Sequence, residues 1–175
     1  MRSAPESNIV YLGSAVVRRL GRVEVAATEV GVCAIALPQW NDHDLRLGPW
    51  EAAGFRAKRA KHALVTQALE ELDAFGNERC LTFSVALDLR HLPPFTERVL
   101  LTLLKVPAGE VTTYGRLAAK AGSPGASRAV GGAVGRNPIP IIVPCHRVVA
   151  SNGIGGFGLG LECKRTLLAI EGVVM

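Results

Sequence analysis

The adjacent prolines Pro93-Pro94 constrain this chain more than any other feature, because such a pair continues neither a helix nor a central strand. They divide the 175 residues into halves with different patterning. Before them, β-branched and apolar segments are spaced as in strands. After them, helical spacing is punctuated by glycine and proline. Hydrophobic residues make up 49% of the chain, enough to fill a core and to exclude a disordered regulator. The resulting expectation is an α+β protein, with an N-terminal structural domain over residues 1–92 and a mostly helical domain over residues 93–175.

In the first half, residues 16–25 (broken by Gly21) and 30–37 read as a strand pair with turn material near Thr28 and Gly31. A polar loop with two tryptophans follows over residues 39–54. Residues 57–75 show helical spacing, with Ala60, Leu64, Ala68 and Leu72 on one face, and Gly76-Asn77 ends that segment. Residues 81–87 alternate like a further strand. This half reads as a small antiparallel sheet with a helix, and it carries no chemical constellation.

In the second half, Thr96 is placed to cap a helix running to Lys105. Further helices are expected over residues 114–121 and 126–134, joined by Gly122-Ser123-Pro124-Gly125, the outline of a helix-turn-helix. The helix over 126–134 holds adjacent glycines and one arginine, so it lacks an array for reading major-groove edges. Its small side chains suit close approach to a minor groove or tight internal packing, and both readings stand. Charge is segregated as well. Residues 1–88 hold 10 Lys/Arg against 11 Asp/Glu, and residues 89–175 hold 10 against 4. The basic excess of the second half points to a polyanionic partner, nucleic acid first.

The tetrapeptide Pro144-Cys145-His146-Arg147 sits in that basic half, after residues 139–143, which read as buried and extended. Cysteine beside histidine sets a potential nucleophile next to a potential base, and the thiolate is the reactive form. On those four residues alone, a structural cysteine stays open. The cysteines at 33, 80, 145 and 163 and the four histidines are scattered, which suggests neither a zinc site nor a disulfide framework. Cys33, Cys80 and Cys163 are expected to pack as small hydrophobes. Gly153-Ile154-Gly155-Gly156-Phe157-Gly158 fits a dinucleotide-binding pattern, but the further strand and acidic residue such a unit needs are missing. It reads instead as a flexible wall around the Cys145 pocket. No apolar run approaches 18 residues, and Met1-Arg2-Ser3-Ala4-Pro5-Glu6-Ser7 does not read as a signal peptide. A cytoplasmic protein is expected, associated with the nucleoid in a prokaryote.

Taken together, the blocks Pro94-Phe95-Thr96, Gly109-Glu110-Val111-Thr112-Thr113-Tyr114-Gly115, Ser127-Arg128-Ala129-Val130-Gly131-Gly132-Ala133, Asn137-Pro138, residues 141–149 and Leu167-Leu168-Ala169-Ile170-Glu171-Gly172 resemble the O6-alkylguanine-DNA alkyltransferases (methylated-DNA–protein-cysteine methyltransferases). The N-terminal half resembles that family only in length and outline. The resemblance implies a ribonuclease H-like N-terminal outline and a winged helix-turn-helix-like C-terminal domain. It also implies a monomer that binds double-stranded DNA through the minor groove, without a membrane, metal or cofactor. An O6-alkylguanine would be flipped into the protein and its alkyl group moved irreversibly to Cys145, with O4-alkylthymine a further candidate substrate.

On the same resemblance, His146 and Glu171 link to Cys145 through water, the carboxylate favouring a protonated imidazole. Tyr114 donates to the purine, and Arg128 fills the vacated base stack. Thr96, Gly115, Ser123 and Ser151 touch the DNA backbone, and Asn137 braces the turn before Cys145. Phe157 and Gly158 line the pocket, while the carbonyls of Cys145 and Val148 accept from the guanine amino group. Phe157-Gly158 departs from the family's usual tyrosine and small polar residue. Two rivals are a lesion sensor or helix-turn-helix regulator without chemistry, and a Cys-His hydrolase.

Overall fold

The computed structural model describes residues 8–175. Residues 1–7, which carry the reading on a signal peptide, lie outside the described residues. The chain separates into two compact units, Met1–His91 and Leu92–Met175, and its architecture is α+β.

The first unit is built on a four-stranded sheet in the order β3-β2-β1-β4. Its strands are β1 (Ile9–Val17), β2 (Gly21–Ala27), β3 (Val32–Ala36) and β4 (Arg56–Arg59). The sheet is mixed rather than antiparallel throughout. β1 pairs antiparallel with β2 but parallel with β4, because a long connection containing the short helix α1 (Gly48–Ala52) brings the chain back in the direction of β1. The segment expected as one broken strand over 16–25 is a hairpin. Arg19 at φ 65° and Gly21 at φ 72° reverse the chain, so Val16 and Val17 finish β1 while Gly21 opens β2.

Side chains alternate across β1, and each face receives its own cover. Gly13 lies under α2 (Ala63–Gly76), where a Cβ would stand 2.5 Å from Val65 Cγ1. Glycine is what permits that approach. Val10 faces the other way and joins Ala26, Cys33, Ala34, Trp50 and Phe55 in an apolar cluster. α2 starts later than its helical spacing suggests, because residues 56–59 pair with β1 instead. Residues 81–87 form no strand. They contribute one parallel bridge, Val32 with Leu87, and Val32 N–H donates to Ala86 O at 2.8 Å.

The second unit contains α3 (Pro94–Leu103), α4 (Tyr114–Lys120), α5 (Ser127–Gly135) and α6 (Leu161–Ile170), with short parallel strands β5 (Thr112–Thr113) and β6 (Val148–Val149). Thr96 does not cap α3. Pro93 holds the cap position and Pro94 opens the helix, where a missing N–H costs nothing. The Thr113 hydroxyl caps α4, accepting from Arg116 N–H at 3.2 Å. α4 and α5 form the helix-turn-helix, with residues 121–126 between them and left-handed glycines at 122 and 125.

The segment before Cys145 is buried, as its apolar character requires, but it is turned rather than extended. Ile141 has φ 75°, and Val143 N–H donates back to Ile139 O at 2.9 Å. Cys145–Arg147 then make one 3-10 turn, and every residue from 137 to 149 is buried. No helix among the described residues is long and apolar enough to cross a membrane.

Candidate active site

Two backbone devices place Cys145. Asn137 staples the preceding turn, its Oδ1 accepting from Ile139 N–H at 3.0 Å and its Nδ2 donating to Val143 O at 2.9 Å. The 3-10 turn then puts Cys145, His146 and Arg147 in one buried cluster, so that consecutive side chains serve different partners. Cys145 is 6% exposed. Burial pushes its thiol above the ordinary value, while Asn137, the Cys145 and His146 amides and the Lys164 charge pull the other way.

His146 and Glu171 have completely buried side chains, with His146 Nε2 2.7 Å from Glu171 Oε1. A carboxylate only accepts, so Nε2 carries the proton and Nδ1 is left as the acceptor side of the ring. Glu171 is shared. Arg147 grips it through Nε at 3.2 and 3.0 Å and through Nη2 at 2.8 Å, and Gly109 N–H donates to it at 3.3 Å. Arg147 also donates to Val106 O.

The charges divide accordingly. Burial alone would raise the Glu171 carboxyl, but the His146 and Arg147 hydrogen bonds and charges bring it down to about 2. Burial lowers the proton affinity of His146 against the pull of Glu171, and the charges of Arg147 and Lys164 lower it further. The resting pair is therefore a carboxylate and a neutral imidazole. Glu171 still pulls towards protonation, so a proton that reaches the ring is supported there. Burial first, and then the charges of Arg147 and Lys164, keep the ring free to accept it.

The Tyr114 ring begins α4 and lies against Gly131 of α5, where a Cβ would meet it at 3.8 Å. Burial and then the Cys145 charge raise its phenol, so it keeps its proton. Gly115 sits 3.6 Å from Ser127 Oγ by the same measure, bringing the starts of the two helices together. Lys164 of α6 is completely buried. Its Nζ donates to Val148 O at 2.6 Å, Ile154 O at 2.6 Å and Gly156 O at 3.1 Å.

Residues 94–173 match the family model described as "6-O-methylguanine DNA methyltransferase, DNA binding domain". A methylated-DNA–protein-cysteine methyltransferase of Mycolicibacterium paratuberculosis is 48% identical over 105 residues, 59% of this chain and 63% of that protein. A protein of the same name from Saccharolobus islandicus is 40% identical over 62% of this chain and 70% of its own length. The Mycobacterium tuberculosis OGT solved in complex with DNA superposes with a TM-score of 0.78 at 32% identity, covering 93% of both chains. The chain belongs to the O6-alkylguanine-DNA alkyltransferase family.

The positions that the alkyltransferase resemblance singles out divide into two groups. Cys145, His146, Glu171, Asn137 and Val148 are buried, and the bonds above tie them to one another or to their immediate neighbours. Arg128, Gly115 and Ser151 are exposed, and Ser123 is half-buried with its hydroxyl 3.4 Å from Arg98 Nη2. Thr96 departs from its expected role. It is 1% exposed, so its side chain is turned away from any outside phosphate. The carbonyls of Cys145 and Val148 already accept from Val148 N–H and Lys164 Nζ, leaving each one further lone pair.

Phe157 is half-buried, with Lys164 Nζ 5.8 Å from its ring centre, and Gly158 is exposed. The glycine-rich wall at 153–158 is thus held by hydrogen bonds to Lys164. Cys33 and Cys163 are buried as expected, but Cys80 is exposed beside Thr82. Among the described residues no cluster of three or more His, Cys, Asp or Glu could hold a metal ion. Arg147 and Lys164 are the site residues without an assigned role in the sequence reading. Lys164 does leave a signal there: it shares a helical stripe with Leu167 and Leu168, three and four residues on, an unusual place for a lysine.

Proposed function

We propose that this protein repairs DNA by moving the alkyl group of O6-alkylguanine onto its own Cys145, once per molecule. The observation that carries this reading is a buried thiol on the same 3-10 turn as a neutral histidine, whose far nitrogen is fixed by an ionised glutamate. The Cys145 proton passes to His146 Nδ1, either directly or through water, and Glu171 stabilises the imidazolium that forms. Sγ then bonds to the alkyl carbon as the C–O6 bond breaks. The electron pair goes to the purine, where Tyr114, which keeps its phenol proton, donates as charge develops. The product is a thioether with no leaving group for water to displace, so the reaction does not turn over.

Delivery of the base relies on the helix-turn-helix. Arg116, Lys120, Arg128 and Arg136 are exposed on α4, α5 and the residue ending α5, a basic face suited to phosphates. Arg128 is the side chain we assign to the space left by the flipped nucleotide, with Gly115, Ser123 and Ser151 along the backbone. Phe157 and Gly158 border the pocket. For Thr96, contact is confined to its backbone amide in the first turn of α3. The protein acts as a monomer on double-stranded DNA in the cytoplasm, at the nucleoid in a prokaryote.

The test is incubation with a duplex containing O6-methylguanine, followed by proteolysis and mass spectrometry. The expected result is one methyl group per protein on the Cys145 peptide, and none in Cys145→Ala. Tight lesion binding with Cys145 unmodified would replace this reading with a sensor, and repeated turnover with a hydrolase.

A further inference from the structure

Lys164 is a buried charge that the transfer chemistry above leaves without a task. An ammonium has three N–H donors, and here all three find backbone carbonyls: one on Val148, directly after the Cys145 turn, and two on Ile154 and Gly156 of the 150–158 strap. None of these partners is a carboxylate. Removing an ammonium from water costs several kcal/mol, and carbonyl dipoles return only part of that. A methionine of similar length would fill the same space without the cost. The charge therefore needs a reason beyond packing.

The geometry supplies two. First, the three bonds tie the strap both to α6 and to the segment carrying the nucleophile, at the opposite end of α6 from the Glu171 bonds. The strap is folded back on itself by the Ala150–Gly153 bridge and by Gly155 at φ 72°, where a Cβ would lie 2.9 Å from Ala150 N. Its two Lys164-bound carbonyls flank that glycine. Second, the charge of Glu171 is already taken up by Arg147 and His146, whereas the positive charge acting on the Cys145 sulfur is that of Lys164. The same charge lowers the proton affinity of His146, keeping the ring ready to accept.

We propose that Lys164 is a positioning residue for alkyl transfer, whose ammonium latches the 150–158 strap to the Cys145 segment and stabilises the thiolate. This inference rests on the alkyl-transfer reading of Cys145. It makes strap closure and nucleophile activation depend on one proton. Burial brings the lysine down to about 8, against the pull of the Cys145 charge. The titratable groups around it are Cys145 and His146 on the 3-10 turn and Cys163 on its own helix. Residues 151–158 carry none. As pH rises through that range, the neutral amine keeps two donors and loses the charge, so the strap loosens and the thiolate loses its support.

The test compares wild type with Lys164→Met and Lys164→Gln. Two readouts need no DNA: the pH profile of Cys145 carboxamidomethylation by iodoacetamide, followed on the Cys145 peptide, and amide hydrogen exchange over residues 150–158. In Lys164→Met, the Cys145 profile should move to higher pH by about one unit, which slows reaction at neutral pH ~10-fold. Strap exchange should speed up by a similar factor. Lys164→Gln, which keeps donors but not charge, should show the same thiol shift with a smaller loss of strap protection. Unchanged thiol profiles and unchanged strap exchange in a folded Lys164→Met protein would overturn the proposal.

If that variant does not fold, wild-type strap exchange decides the matter. Opening that increases between pH 7 and 9 beyond the intrinsic rise supports the latch, and a flat profile overturns it. A wild-type protein that takes no methyl group from the lesion duplex would instead defeat the alkyl-transfer reading, while these readouts would still report on the latch.

Discussion

The two units bury different kinds of atoms. In the N-terminal unit the buried polar or charged residues among those described are Thr28 and Asp88; in the C-terminal unit they are Thr96, Thr112, Asn137, His146, Arg147, Lys164 and Glu171. Both have apolar cores. The first solves its single buried charge simply, since Asp88 accepts from Thr28 Oγ1 at 2.5 Å and from Arg90 at 2.7 and 2.6 Å, and Arg90 itself reaches solvent. The second buries an imidazole, a guanidinium, an ammonium and a carboxylate around one thiol. Each costs free energy to dehydrate, and apolar replacements would fold at least as well. Sustained buried polarity of that kind locates chemistry, whereas an isolated buried ion pair locates architecture.

Substitutions in the two units should separate these roles. The largest effect is expected at Glu171. Glu171→Gln leaves Arg147 buried beside a neutral amide, which should cost about 3–5 kcal/mol in chemical denaturation and abolish measurable methyl transfer. Its pH dependence is a second reading of the same residue. The folded-state carboxyl lies at about 2 against an ordinary value of 4.5, so the stability it confers is complete above 4.5 and is lost as pH falls towards 2. Wild-type stability should therefore drop across that window, and the drop should be shallower in Glu171→Gln.

A smaller effect is expected in the first unit. Asp88→Ala removes the acceptor of Thr28 and Arg90 and should cost about 1–3 kcal/mol, read as faster hydrogen exchange in β2 and β3. The iodoacetamide profile of Cys145 should not move. A shift there would break the division between architecture and chemistry. Smallest is Thr113→Ala, which removes the α4 cap and should cost about 1 kcal/mol in thermal or chemical denaturation.

The helices of the C-terminal unit were legible because their ends are marked in the sequence. Gly122 and Gly125 punctuate the helix-turn-helix, and Asn137-Pro138 follows α5 closely. Cys145, His146 and Glu171 were reached through motif blocks, but their charge states were not. Those depend on Arg147 and Lys164 arriving from different directions, which no local pattern encodes. In the N-terminal unit, residues 81–87 alternate like a strand yet pair at one bridge, and the parallel partner of β1 was hidden in a run of arginine and lysine that looked like the start of a helix. The burial of residues 139–143 is legible in their apolar run, whereas their turned shape is not, because it depends on a side-chain amide two residues upstream.

That turn has a further consequence. Ile141, a β-branched residue, sits at φ 75°, a conformation whose steric penalty is of order 1–3 kcal/mol. The Asn137 side chain bonds both sides of it, at Ile139 and Val143. Cys145 thus follows directly on a strained turn that is held by the Asn137 amide together with the backbone bonds Val143 N–H to Ile139 O and Cys145 N–H to Val143 O. Loss of that amide would release the strain just ahead of the sulfur, so the packing of the whole unit and the placement of one atom depend on the same side chain.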